Sequence, residues 1–353
     1  MANLSERYMQ RCLELAQLGA SSVAPNPMVG CVIVHNGVII GEGFTSPYGG
    51  NHAEVNAIHS VEDTSVLKDA TLYVSLEPCA HYGKTPPCAN LIIEKNIKRV
   101  VIACLDPFAK VNGLGVKRLI EAGIDVKIGV LETEAQELNR RFFTFHQKKR
   151  PYIILKWAET ADGFVDGARK DTGQPPLKIT GNTSNLLVHK WRAEEAAIMV
   201  GKNTALRDDP SLTTRHYKGK NPIRILLDAR SDTPSDSNIF NDEADTLVFS
   251  EEADSATSHL KSNSPHHTTI TVKDIRNLQP VLTELYSRNI QSVLVEGGPT
   301  LQTSFYEAGL WDEIRRFVSP IRIEEGVKAL QIDLMPEKKM EVGTDSLLIY
   351  TNQ

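Results

Sequence analysis

The sequence predicts two mixed α/β domains in series, and three observations lead there. The chain has 353 residues, against about 100–200 for a usual domain. Short runs rich in Val and Ile alternate with helical stretches on both sides of its middle, the pattern of layered α/β folds. Between the halves, Lys148-Lys149-Arg150 runs into Pro151, which stops a helix and favours extended chain. The domains are placed at 1–148 and 151–353.

In the first half, Leu4, Tyr8, Cys12, Leu15 and Leu18 recur at helical spacing, with Gly19 as a stop. VGCVIVHNGVIIGEGF (29–44) reads as a hairpin turning at Asn36-Gly37. A helix follows over 53–59, a strand over 70–78, a helix over 87–95 and a strand over 98–106. A helix over 112–122 stops at Gly123, 124–130 is a short strand, and one charged helix covers 132–147. This alternation predicts three layers. The second half restarts with a strand over 151–163 that ends in Asp162-Gly163. Further strands are expected at 196–200, 223–228, 245–249, 268–272, 290–296, 314–319 and 345–350, and helices at 182–193, 275–288 and 299–308. The stretch 231–265, rich in Ser, Asp, Asn and Pro, reads as surface loop around one strand.

Composition narrows the function classes. Hydrophobic residues make up 41 % and charged residues 24 %, ordinary for a globular protein. The net charge of −5 argues against a general nucleic-acid binder, which carries a basic surface. Five cysteines, odd in number and irregularly spaced, do not form a disulfide framework. No apolar run approaches the roughly 18 residues that span a membrane, and the N-terminus has no signal-peptide core. A cytoplasmic protein is expected. Base rates favour a homo-oligomer, most simply a dimer.

The chemistry-bearing signal is Asn51-His52-Ala53-Glu54-Val55, followed by LEPCAHYGKTPPC (76–88). His-x-Glu followed by Pro-Cys and a second Cys is the signature of zinc deaminases. His52, Cys79 and Cys88 supply one imidazole and two thiolates to Zn²⁺, and the open fourth position of a catalytic zinc takes water. Glu54, beside the ligands and not one of them, is the proton shuttle. Both motifs enter helices, whose N-termini suit thiolates. A structural site would need a fourth ligand, for which His81 or Cys104 are candidates. The second cysteine comes nine positions after the first, where the general signature has three. The intervening Gly and Pro pair suit a substrate loop. Cys12, Cys31 and Cys104 read as small buried hydrophobes.

In the second half, VLVEGGPTL (293–301) is a strand, two glycines and a helix start, an arrangement able to hold phosphate. It is not the Gly-x-Gly-x-x-Gly fingerprint. VGKNTALRDDPSLTTR (200–215) is a loop–helix stretch carrying Lys202, Arg207 and Arg215 beside Asp208 and Asp209, and Arg forks suit phosphate. ILLDAR (225–230) adds an Arg after a strand, where a 2′-phosphate could be read.

PNPMVGCVIV (25–34), NHAEVNAI (51–58) and EPCAHYGKTPPC (77–88) resemble the deaminase half of the bifunctional riboflavin-biosynthesis deaminase–reductases, in which the longer cysteine spacing is usual. The resemblance implies a cytidine-deaminase-like N-terminal domain. It also implies a small-molecule substrate, a 2,5-diamino-6-ribosylaminopyrimidinone 5′-phosphate whose 2-amino group is hydrolysed, with Asn26, His81 and Lys84 in its substrate loops. KWAETADG (156–163), the Arg192-Ala193 helix, 200–215 and 293–301 are similar to the reductase half, which has a dihydrofolate-reductase-like α/β fold. That implies NADPH-dependent reduction of the ribosyl group to ribityl. Ala158, Thr204, Asp208, Ala229 and Gly298, Pro299, Thr300, Leu301, Gln302, Thr303 and Ser304 would meet the cofactor. Lys156, Arg192, Leu212, Arg215 and Glu296 would meet the substrate, the arginines on its phosphate. Two positions depart from the family pattern. Phe164 stands where many members have Arg, and Lys178, in PLKIT (176–180), stands where many have Trp. The alternative is a deaminase with a degenerate second domain.

Overall fold

A computed structural model describes the whole chain except residues 1–2, 21, 81, 83–85, 109–110, 170–173, 252–265 and 353. The chain divides into two units, 1–149 and 150–353.

The first unit opens with α1 (Leu4–Gln17), started by a capping box. The Asn3 side chain accepts from the Glu6 amide at 3.0 Å, and the Glu6 carboxylate accepts from the Asn3 amide at 2.9 Å. Strands β1 (Gly30–His35) and β2 (Val38–Phe44) form the hairpin. Asn36 and Gly37 turn it with φ of 50° and 79°, the left-handed pair such a turn needs. Then come α2 (Ala53–His59), β3 (Thr71–Leu76), α3 (Cys88–Glu94), β4 (Arg99–Cys104), α4 (Leu114–Glu121), β5 (Asp125–Ile128), α5 (Glu132–Leu138) and α6 (Arg140–Lys148). The sheet order is β2-β1-β3-β4-β5, with β3, β4 and β5 parallel. Gly41 and Gly43 of β2 let α2 lie almost on the strand. A Cβ at Gly43 would fall 2.4 Å from the Ala57 nitrogen, and one at Gly41 would fall 2.6 Å from the Ala57 oxygen.

The single helix expected over 132–147 is two. Asn139 breaks it, because its side-chain amide pairs with the backbone of Met28 in both directions, each bond 2.8 Å. That pairing anchors the Pro25-Asn26-Pro27 loop.

The second unit contains β6 (Tyr152–Glu159), β7 (Phe164–Gly167), α7 (Asn182–Glu194), β8 (Ala197–Gly201), α8 (Lys202–Asp208), β9 (Ile223–Leu227), β10 (Thr246–Ser250) and β11 (His267–Thr271). It continues with α9 (Leu278–Ser287), β12 (Ser292–Val295), α10 (Pro299–Glu307), β13 (Glu313–Val318), β14 (Gly326–Lys328), β15 (Lys338–Val342) and β16 (Asp345–Thr351). The main sheet runs β11-β10-β9-β8-β12-β6-β13-β16-β15, and β7 pairs with β14 in a separate two-stranded ribbon. The sheet is parallel from β11 through β13, and β16 and β15 add antiparallel strands at one end.

Strand β6 shows why its sequence is apolar almost without interruption. Ile153, Leu155 and Trp157 enter the core on one face, while Tyr152 and Ile154 enter another core under Trp191 on the opposite face. A parallel sheet covered on both faces needs this. Strands β8, β12 and β6 are adjacent and parallel, so their carboxyl ends gather Gly201, Glu296 and Glu159 at one edge. Ligands of open α/β sheets bind at such an edge.

Candidate functional site

In the first unit, His52 caps the start of α2 with extended backbone, and Glu54 follows in the first turn. Cys79 lies just past β3, and Cys88 is the first residue of α3. The seating of α2 on Gly41 and Gly43 holds His52 against the end of β3. Both sulfurs converge on the same ring nitrogen: His52 Nδ1 is 3.5 Å from Cys79 Sγ and 3.3 Å from Cys88 Sγ. The donor atoms all lie within 4.8 Å of one another. Tetrahedral zinc, with bonds of about 2.0–2.3 Å, sets donors about 3.6–3.8 Å apart, within a few tenths of an ångström of the two N–S separations here. Donor chemistry and spacing therefore both fit Zn²⁺. Among the described residues no fourth His, Cys, Asp or Glu joins the cluster. Cys104 is directed elsewhere, with its thiol 3.5 Å from the Ser75 carbonyl. His81 and Lys84 lie outside the described residues.

The protons of the cluster are arranged for exchange with a cation. A hydrogen bond from Cys88, helped by His52, holds the Cys79 thiol down at about 4, and the Cys88 amide donates to its sulfur at 3.3 Å. The Cys79 hydrogen bond raises His52 to about 9, and the Cys88 thiol is raised beside Cys79 and by burial. A divalent ion replaces those shared protons on binding. Burial pushes the Glu54 carboxyl up to about 7, with Cys79 adding and His52 opposing.

Two further carboxylates escape a reading of the motifs. Buried Glu77 accepts from the amides of Asp106 (3.2 Å), Gly113 (2.9 Å), Gly115 (2.9 Å) and Val116 (3.1 Å), which ties the start of α4 to the residue pair Pro78-Cys79. Asp106 is buried, and burial raises it to about 7, with Glu77 and Cys79 adding. Asp106 ends the apolar run of β4, and that placement was the only sequence signal for it. Asn26 lies in the loop anchored by Asn139, its amide 2.9 Å from the Val23 carbonyl.

In the second unit, a cleft of about 630 Å³ opens at the carboxyl ends of β6, β8 and β12. Of the residues expected at the cofactor, Ala158, Thr204, Asp208, Gly298, Pro299, Thr300 and Gln302 line it. The Gly298 amide donates to Thr204 Oγ1 at 3.1 Å, which joins the starts of α8 and α10. Gln302 reaches back to the Lys156 carbonyl at 3.0 Å. Leu301, Thr303 and Ser304 are on α10 but off this lining. Ala229, beyond β9, is also off it, and its carbonyl accepts from the Glu251 amide at 3.0 Å. Asp208 is paired with Arg169, which also holds Asp166 at 2.6 Å. Lys178 lines the cleft and donates to Asn182 at 3.0 Å, and Phe164 is buried.

A second cleft of about 400 Å³ adjoins the first and shares Thr204, Asp208 and Glu296 with it. Arg192, Leu212 and Arg215 line this smaller space. Arg192 grips Glu296 with two bonds of 2.9 and 2.8 Å, and Lys156 Nζ approaches the same carboxylate at 3.5 Å. Burial alone would raise Glu296, but Arg192 and Lys156 outweigh it and hold the carboxyl at about 2. Lys156 is lowered by burial, with Glu296 opposing.

Comparison with known proteins agrees with both sites. The cytidine and deoxycytidylate deaminase zinc-binding region matches residues 2–104, and the RibD C-terminal domain matches 151–331. Riboflavin biosynthesis protein RibD of Aquifex aeolicus is 39 % identical over 98 % of both chains. That of Escherichia coli is 36 % identical, covering 89 % of this chain and 87 % of its own. A solved Thermotoga maritima diaminohydroxyphosphoribosylaminopyrimidine deaminase/5-amino-6-(5-phosphoribosylamino)uracil reductase superposes with a TM-score of 0.86 at 36 % identity over 98 % of each chain. Acinetobacter baumannii RibD superposes with a TM-score of 0.87 at 33 % identity over 99 % of each. The fold is a cytidine-deaminase-like domain followed by a dihydrofolate-reductase-like one, and the second domain is present, not degenerate. The chain belongs to the RibD family of riboflavin biosynthesis, zinc-dependent deaminases joined to NADPH-dependent reductases.

Proposed function

We propose that the first unit hydrolyses the 2-amino group of the diaminopyrimidine ribosylamine 5′-phosphate and that the second reduces the deaminated product's ribosyl group to ribityl. The convergence of His52, Cys79 and Cys88 beside a carboxyl poised near neutrality carries the first half. Zinc, when bound, supplies Lewis-acid activation of water. Glu54 does the proton work: a buried carboxyl near 7 can accept a proton and return it to the ring nitrogen and the departing amine. His52, Cys79 and Cys88 hold the metal, and Asn26, His81 and Lys84 are assigned to the substrate.

For the second half, NADPH supplies the reducing equivalent. Gly298 to Ser304, Thr204, Ala158, Asp208 and Ala229 are assigned to the cofactor, with the start of α10 offering backbone N–H groups to a phosphate. The Arg192 fork is already engaged on Glu296. Arg215 makes no ion pair among the described residues and lines the smaller cleft, so it is the guanidinium left for the substrate's phosphate. Leu212, Lys156 and Glu296 complete that wall.

The test is mass-spectrometric product analysis with and without NADPH. Deaminated product alone without NADPH, and deaminated and reduced product with it, is the expected result. Release of unchanged diaminopyrimidine, or reduction without NADPH, would sink the reading. All five cysteines are free, which suits a reducing cytoplasm. Among the described residues no helix is long and apolar enough to cross a membrane. A closed dimer is the assembly we assign on symmetry grounds, to be checked by light scattering.

A further inference from the structure

Arg215 lies on an exposed segment, yet the segment is held from below. The turn passes through Leu212, which is buried at φ 54°. Arg192 donates from Nη1 to the Thr213 carbonyl at 3.3 Å, and the Arg215 amide donates to His189 Nδ1 at 3.1 Å. His189 and Arg192 are three residues apart on α7 and so share a face. One helix face therefore grips both ends of the short stretch 213–215. The remaining bonds of this stretch, from Thr214 to Asn221 and Lys220, stay within the loop.

We propose that His189 is a positioning residue of the reductase site: its Nδ1 lone pair anchors the Arg215 amide and so fixes where the Arg215 guanidinium enters the smaller cleft. An accepting Nδ1 requires a neutral ring with its proton on Nε2. The charged and titratable groups around the ring are Arg192, Arg215, His216 and Glu296. Burial lowers the imidazole to about 4, with Arg192, His216 and Arg215 adding and Glu296 opposing. The accepting form thus persists through the neutral range. The His216 ring packs edge-on against it, with ring centroids 4.6 Å apart.

This role rests on the reading that Arg215 binds the substrate's phosphate, and the experiment separates the two. In the full chain with NADPH, KM and kcat are measured for the deaminated, phosphorylated substrate. His189→Asn places an oxygen where Nδ1 sits; His189→Gln places it where Nε2 sits. We expect the Gln variant to raise KM about tenfold with kcat within about twofold, and the Asn variant to recover most of that loss. Arg215→Ala raises KM, and adding His189→Gln to it changes nothing more, because coupled sites are not additive. Equal KM for the Asn and Gln variants, or additive effects in the double variant, overturns the positioning role while leaving the phosphate reading intact. A normal KM for Arg215→Ala overturns the phosphate reading, and the positioning role with it. If His189→Gln does not fold, nitrogen NMR of the labelled native protein decides. A bare Nδ1 on His189 supports the role, and a protonated Nδ1 overturns it.

Discussion

At the scale of single residues, the two sites use carboxylates in opposite ways. Glu54 is buried, and burial together with Cys79 outweighs His52, so its carboxyl rises to about 7. Glu296 is buried against two cations and falls to about 2. Glu54→Gln keeps the size and loses the proton. It is expected to cut ammonia release at least ~10²-fold while zinc content, read by atomic emission, stays at wild type; undiminished ammonia release would remove Glu54 from the mechanism. Glu296 gives a pH prediction. Its carboxyl is depressed on folding, so its contribution to stability is present above the ordinary value of about 4.3. That contribution is lost as pH falls toward about 2. Glu296→Gln leaves buried Arg192 and Lys156 without their counter-charge, at a cost of about 3–5 kcal/mol near neutrality. The melting-temperature gap between native protein and variant should hold steady down to about pH 4.3 and narrow from there as pH falls toward about 2; a gap that stays constant through that lower range contradicts the ion-pair account. The residues of the metal cluster were legible from two local motifs, His-x-Glu and Pro-Cys, with the second cysteine, nine positions after the first, matched by the family resemblance. Glu77 and His189 were not, because their partners lie 26 to 39 residues along the chain.

At the scale of elements, packing distance decides more than propensity does. Gly115, in the first turn of α4, has no room for a side chain: a Cβ there would sit 1.9 Å from the Pro78 carbonyl oxygen. Pro78 precedes the ligand Cys79, so Gly115→Ala must displace either α4 or the cysteine. The expected result is a loss of about 1–3 kcal/mol of stability together with weaker zinc retention under dialysis. Native melting temperature and full zinc content would show that the contact yields freely. The long strands and amphipathic helices were readable because one period runs through each. The ribbon of β7 and β14 was not, because its strands have four and three residues and lie far apart in sequence. Strand β15 escaped as well: it is a mostly exposed edge strand with no apolar face to betray it.

At the scale of the whole molecule, each unit has its own hydrophobic core and its own chemistry. The two half-reactions should therefore separate. Chelating the metal is expected to abolish ammonia release while NADPH oxidation with deaminated substrate continues within about twofold, since the reductase cleft contains no part of the metal cluster. Parallel loss of both activities on chelation would mean that the metal supports the second unit too.

The two-domain α/β plan and the zinc-deaminase and reductase motifs are readable without a structure, because hydrophobic period and short motifs are local properties of a chain. Tertiary structure alone decided the rest. It broke the 132–147 helix at Asn139 to anchor Met28, brought Glu77 to the start of α4, left Ala229 off the cleft lining, and committed Arg192 to Glu296. Each of these depends on which groups, distant in sequence, come within reach of one another, and only the packed fold brings those groups together.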